Sequence, residues 1–334
     1  MSRLSVNKDQ HWMHTLSRRN FLKQTAAGLL ALPFLQQDPG GPTDWDDETD
    51  LARSVREYLE NVLLDLNITL DFRRINAEFN QEFHILIKAY DLMPVASCFK
   101  AWLPLYYYLN TPREEWQDGD GTPLYQSVVF SNNVETGTVL VDVARRVATE
   151  GNPIEKFNNF LSLQVGMANG LYTWDWPGTP TTGFFDLRYA PSANRGISFN
   201  GEFFQADNLF TAVDLARGYD VYARGEHFAQ WDQMREAITA SRTLLSIRAP
   251  DYQSPIEFVS PEGYIGKDGV LPADDLPVGR VLADAGIIIV DGAQYIIALM
   301  AAGESEVTVR QVLEEIMITI QVYERGRPSL SRGD

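Results

Sequence analysis

The sequence predicts an α/β (α+β) chain in which both ends contribute to one sheet-containing unit around a helical middle, and three stretches carry that expectation. Near the start, Leu51, Val55, Tyr58, Leu59, Val62 and Leu63 recur at steps of three and four residues, the period of an amphipathic helix. Near the end, residues 285–290 and 294–300 are apolar runs separated by Asp291 and Gly292, a β-hairpin signal. Residues 307–323 then carry Val309, Val312, Leu313, Ile316, Ile318, Ile320 and Val322, apolar enough for a closing helix packed on a sheet. Between these ends, residues 96–109, 136–149, 154–163, 210–222 and 230–246 read as helices, with few strand-like runs. The simplest organisation is an α/β part from about 51–95 and 246–325, with a helical part over about 96–245.

A chain of 334 residues, 45% hydrophobic and 22% charged, is long enough for a sizeable core. Against 45 Asp+Glu stand 28 Lys+Arg, a formal charge of −17, which argues against nucleic acid as a partner. Cys98 is the single cysteine, so an intrachain disulfide and a cysteine-cluster metal site are both excluded.

Residues 17–23 read Ser-Arg-Arg-Asn-Phe-Leu-Lys and precede an apolar stretch over 26–35, the order of a twin-arginine export signal. Arg18 and Arg19 would address the export machinery. An apolar core of roughly ten residues is about half of what a bilayer span needs, so no stable membrane span is expected. Residues 1–36 are therefore read as signal, 37–50 as a Pro-, Gly- and Asp-rich disordered linker, 51–325 as the folded domain and 326–334 as a tail. The protein would act outside the cytoplasmic membrane: secreted, periplasmic or on the cell envelope. Without residues 1–36 the chain has 23 basic and 44 acidic side chains, a charge of about −21. His11 and His14 leave with the signal, and His84 and His227 are too few for a multi-histidine metal site, although a carboxylate-only site stays open. No cofactor is expected.

The chemistry starts at Ala96-Ser97-Cys98-Phe99-Lys100, which opens a helix-compatible stretch. Ser97 and Lys100, at i and i+3, share a face, so their side chains can meet. A serine hydroxyl is inert until a base takes its proton, and a lysine desolvated at a helix start falls in pKa far enough to be that base. Further along, Ser131-Asn132-Asn133 follows a short apolar segment over 127–130 and precedes a helical run. Lys267-Asp268-Gly269 lies between Tyr264-Ile265 and Val270, a strand-like setting.

Ser-x-x-Lys, then Ser-x-Asn, then Lys-x-Gly ahead of a terminal hairpin and helix resembles the serine β-lactamase and penicillin-binding protein family, closest to the class A type, over about residues 51–325. Asp284-Ala285-Gly286-Ile287-Ile288 adds to the resemblance, and Thr211-Ala-Val-Asp-Leu-Ala216 is similar to the helix start that follows the family's Ω-loop. The resemblance implies an antiparallel sheet flanked by N- and C-terminal helices, plus an inserted all-helical subdomain. It implies a serine hydrolase acting on a small-molecule or peptide substrate, a β-lactam or a cell-wall-type amide or ester. Ser97 would be acylated, Lys100 would be its proton partner and Ser131 would relay a proton to the leaving nitrogen. Asn133 would bond the substrate amide, and Lys267 would place positive charge beside Ser131 and the substrate carboxylate. The oxyanion hole would be the backbone N–H groups of Ser97 and Val270, with Gly269 letting substrate lie against the strand edge.

Three departures from the family pattern matter. Where the usual triplet offers the substrate carboxylate a hydroxyl, Asp268 presents an anion, at a cost on the order of several kcal/mol for a ~4 Å contact. A protonated Asp268, a substrate lacking that carboxylate, or an outward-turned Asp268 would avoid the penalty. No Glu-x-x-x-Asn pair is obvious in the stretch just upstream of Thr211 for the deacylation base; the candidates are Asp175, within Trp174-Asp175-Trp176-Pro177, and Glu202. The 34 positions from Ser97 to Ser131 imply a trimmed helical part, with Trp102, Tyr106, Tyr107 and Tyr108 filling its core. The alternative function is a catalytically weak or inactive relative that binds a cell-envelope peptide or a protein partner.

Overall fold

The computed structural model describes residues 48–75, 83–171, 196–199, 202–205, 208–228, 232–260, 262–272 and 278–326. The chain divides into two units, residues 1–66 and 67–334. In the first, helix α1 (Glu48–Leu63) buries Val55, Leu59, Val62 and Leu63 on the expected face. It begins three residues inside the stretch read as linker. Residues 1–36 and the tail over 327–334 lie outside the described residues.

The second unit opens with β1 (Ile68–Ile75), β2 (His84–Ile87), β3 (Met93–Pro94) and a 3₁₀ turn (Ala96–Trp102). Then come α2 (Leu103–Asn110), α3 (Pro123–Val128), α4 (Asn133–Arg146) and α5 (Pro153–Phe160), which runs into a π-helical turn (Leu161–Val165). Short strands β4 (Gly196–Phe199), β5 (Glu202–Gln205) and β6 (Leu209–Phe210) precede α6 (Ala212–Phe228), α7 (Asp232–Leu245) and α8 (Pro255–Val259). The chain closes with β7 (Tyr264–Leu271), β8 (Val281–Val290), β9 (Ala293–Ala302) and α9 (Glu306–Gly326).

Five strands form one antiparallel sheet in the order β2-β1-β9-β8-β7. The expected hairpin is β8–β9, turning through Asp291 and Gly292 at φ 48° and 75°, the positive values that a two-residue primed turn requires. Strand β1 pairs with β9, so the two ends of this unit meet at the middle of the sheet. It carries Ile68, Leu70 and Phe72 on one face and Thr69, Asp71 and Arg73 on the other, all buried. Its polar face is tolerated because Asp71 accepts from Arg73 at 2.5 Å and lies 2.9 Å from His84 Nε2. Helix α9 reaches β8 and α8, and its Glu324 binds Arg74 of β1 at 2.8 Å and the Tyr295 hydroxyl of β9.

The helical part buries an aromatic core. The Tyr106 ring lies 5.2 Å from Phe157 and 5.1 Å from Phe160, Tyr108 lies 4.5 Å from Trp116, and Trp102 lies 5.8 Å from Tyr219. Tyr107 departs from the expected core role: it is half-buried and its hydroxyl serves the backbone of Glu115 and Gln117. Several of the helices start where side chains cap them. Thr122 caps α3 just ahead of Pro123, and Asn132 accepts from the N–H groups of Val134 and Glu135 to start α4 three residues before the expected position.

Asp214 ties α6 to the preceding loops. Its buried carboxylate accepts from Ala168 N and Asn169 Nδ2 at 2.7 Å, and from the Thr211 hydroxyl at 2.8 Å. Asp214→Ala leaves these donors without their acceptor, so urea unfolding should show a loss of about 3 kcal/mol, with the Thr211→Val variant losing less.

Candidate active site

The site forms where the 3₁₀ turn Ala96–Trp102 meets the edge strand β7. A 3₁₀ turn has about three residues per turn, so positions i and i+3 eclipse, which sets Ser97 and Lys100 in line more directly than the expected α-helix would. Ala96 enters the turn at φ 48°, a left-handed conformation that costs a non-glycine residue on the order of 1 kcal/mol and is held by its surroundings. The chief constraint is Gly269 on β7. A Cβ there would stand 2.3 Å from Ser97 N and 2.5 Å from Cys98 N, both backbone atoms. The Cys98 thiol donates to Lys267 O at 3.0 Å and is fully buried, which pushes its pKa up.

Lys100 is fully buried, with Nζ donating to Ser131 O at 2.7 Å and Asn133 Oδ1 at 2.6 Å. Burial, aided by the nearby charge of Lys267 and opposed by Asp268, lowers its pKa to about 6. At neutral pH the uncharged form of the amine therefore predominates. Ser131 lies in the loop between α3 and α4 at φ 58°, held by Asn132 N donating to Gln126 O at 3.0 Å. Its hydroxyl oxygen is buried and without a hydrogen-bond partner. Asn133 is the first residue of α4, so its bond to Lys100 joins the helix start to the turn.

A cleft of about 330 Å³ opens here, lined by Ser97, Ser131, Lys267, Asp268, Gly269 and Val270, all expected site residues. Lys267 Nζ lies 3.2 Å from Asp268 Oδ1 and donates to Asp268 O at 2.9 Å. Asp268 Oδ2 accepts from the Tyr252 hydroxyl at 2.5 Å. Lys100 and Asn133 sit behind Ser97 and Ser131 rather than in the lining. Glu202 is exposed on β5 and is not among the lining residues; Asp175 lies outside the described residues. Among the described residues no cluster of His, Cys, Asp and Glu could hold a metal, and no helix is long and apolar enough to cross a membrane.

A second group beside the motifs was not read from the sequence. Asp284 on β8 stands directly opposite Asp268 in the strand register and is fully buried. It accepts from Ile256 N at 2.8 Å and from the Tyr264 hydroxyl at 2.6 Å. The Tyr264 ring fills the place that side chains would take at the paired Gly266 and Gly286, where a Cβ would meet it at 2.3 Å. The Arg248 guanidinium sits 4.6 Å from the ring centroid and pairs with Glu257 at 3.2 Å. Desolvation, with the charge of Asp268 adding to it, raises the Asp284 pKa to about 7. The available signal was a carboxylate inside an otherwise apolar strand.

The fold is the β-lactamase/transpeptidase-like one, a mixed helical and antiparallel-sheet architecture. A class A β-lactamase from Bacteroides cellulosilyticus superposes with a TM-score of 0.55 at 14% identity, over 82% of this chain and 97% of its own. A β-lactamase from Sphaerobacter thermophilus gives 0.53 at 15% identity, over 83% and 96%. The class A β-lactamase from Clostridium kluyveri gives 0.51 at 14%, over 80% and 99%. At these identities the likeness is one of fold. No protein-family model and no curated protein sequence matches the chain.

Gly269→Ala should lower stability by about 1–3 kcal/mol in urea unfolding, since backbone atoms rather than a flexible side chain must yield. Asp284 makes stability depend on pH. Its carboxyl ionises near 3.8 when unfolded and about 7 when folded, so between those values the folded state holds a proton that the unfolded state has released. Stability therefore falls as pH rises from about 4 to 7. Asp284→Asn should flatten that decline in urea midpoints measured at pH 4.5, 6 and 7.5; an unchanged slope assigns the decline elsewhere.

Proposed function

We propose that the protein is an exported serine hydrolase that cleaves a small ester or amide, β-lactams and cell-wall-type peptides included, through an acyl-enzyme on Ser97. The observation that carries this reading is the fully buried Lys100 amine, held between Ser131 O and Asn133 Oδ1 one 3₁₀ turn from Ser97 and uncharged at neutral pH. Its lone pair takes the Ser97 proton as Oγ attacks the acyl carbon. The developing oxyanion is received by the N–H groups of Ser97 and Val270, on the turn and strand that Gly269 brings together. Ser131 passes the proton to the leaving group as the acyl–heteroatom bond breaks, and its unpartnered buried hydroxyl fits that task. Water then cleaves the acyl-enzyme, with Asp175 as the candidate base, since Glu202 is exposed and outside the cleft lining.

The twin-arginine motif at residues 17–23 supports export of the folded chain, with Arg18 and Arg19 as its address. A second reading, a binding protein that turns over slowly or not at all, is favoured by the Lys267–Asp268 pairing, which neutralises the cation expected to meet substrate.

Time-resolved mass spectrometry with a penicillin, a cephalosporin and a neutral aryl ester tests the proposal. An adduct on Ser97 that forms and decays supports the hydrolase, and one that persists supports the binding reading. Labelling unchanged in Ser97→Ala sinks the mechanism. The active form of Lys100 is the neutral one, so the labelling rate should rise as pH increases through about 6 and then level off. Lys100→Met should slow labelling by about 10²-fold or more.

A further inference from the structure

The charges lining the cleft are already paired with one another. Among the described lining residues the cations are Lys267 and Arg248. Lys267 gives two of its three donors to Asp268. Arg248 pairs with Glu257 and donates to Leu245 O at 2.6 Å, to Ile247 O at 3.2 Å and to Tyr264 O. A substrate carboxylate would share these cations with the acidic groups that already hold them, and would face Asp268 in the same cleft wall.

The same wall suits a cation. Each Asp268 oxygen accepts one hydrogen bond, from Lys267 or from Tyr252, and an ionised carboxylate has about four acceptor positions. Two large rings, Tyr252 at 48% and Phe130 at 47% exposure, also line the cleft. Aromatic rings beside a carboxylate are the chemistry that recognises an ammonium group, by cation–π attraction and charge-assisted hydrogen bonding. The Ser131 hydroxyl, buried and without a hydrogen-bond partner, stands beside the same cleft.

We propose that the cleft selects substrates with an ammonium group, placed against Asp268 beside Tyr252 and Phe130, in place of a carboxylate. This rests on the reading of the cleft as the substrate site of a Ser97 hydrolase and names the substrate class: an amide or ester whose leaving portion bears an amine. Asp268 is then the specificity-determining residue.

The test uses three matched phenylacetanilides carrying an aminomethyl, a methyl or a carboxyl group para on the leaving ring. Their binding to the full-length Ser97→Ala protein is measured by calorimetry. The corresponding aryl esters are offered to the wild type, with Ser97 acylation followed by mass spectrometry. The aminomethyl anilide should bind best, at least about tenfold tighter than the carboxyl one. Its advantage should shrink in high salt, and the Asp268→Asn change, made in the Ser97→Ala background, should remove its preference over the methyl compound. Carboxyl binding equal to or tighter than aminomethyl binding, or no binding of the aminomethyl compound, overturns the proposal. The order of the three ligands decides this even if the Asp268→Asn protein does not fold. Selective aminomethyl binding without acylation by any ester leaves the cation-selective cleft standing and removes the hydrolase reading alone.

Discussion

A methyl group does not fit between Gly269 and the backbone nitrogen of Ser97, and the position of every group around the cleft depends on that closeness. The turn carrying Ser97 is seated on the outermost strand of the sheet, and the Cys98 thiol fastens to Lys267 O one residue pair away. Strand β7 is paired with β8 from Tyr264↔Ile288 to Leu271↔Val281, and β8 with β9 over its whole length. Ser97 is thereby referenced to the sheet through main-chain atoms, which have no rotamers to absorb an error. From the other side, the Lys100 amine references the turn to the loop holding Ser131 and to the start of α4.

The second organising feature is a row of ionisable groups kept away from water, each shifting the next. The charge of Lys267 works with burial to discharge Lys100, while Asp268 opposes it. Asp268 in turn helps burial to hold a proton on Asp284. Asp268 is the pivot of this row, because it is the member that is both paired with a cation and open to the cleft. Asp268 is thus coupled to the buried Lys100 amine and to the Asp284 carboxyl beneath the sheet edge.

Long apolar runs made the β8–β9 hairpin and the closing helix legible in the sequence, because nothing but burial accounts for residues such as 285–290. Strand β1 was not legible. Thr69, Asp71 and Arg73 make it look half exposed, and only the fold brings His84 across to Asp71 so that both faces are buried. The segment over 127–130 was read as an apolar run, although Thr122-Pro123 upstream is a helix-start signal and α3 begins there. Whether the Ser97 stretch forms an α or a 3₁₀ turn depends on hydrogen-bond register, which residue types do not encode. Around the cleft, the three short motifs gathered the residues that line it or stand behind it. The places of Tyr252, Arg248, Tyr264 and Asp284 at the cleft are not legible in the sequence, because their partnerships run across strand register and over a bare glycine pair, neither of which spacing along the chain displays.

Cys98 adds a consequence of a different kind. The chain has a single thiol, wholly enclosed and lying between Ser97 and Lys100 in the chain, with its sulfur bonded to the strand that forms the cleft edge. A reagent cannot reach it while the turn is seated on β7, so each modification event records one excursion in which turn and strand part. The molecule therefore carries a native clock for the opening of the corner that holds Ser97, readable without a label and separable from global unfolding by its dependence on denaturant.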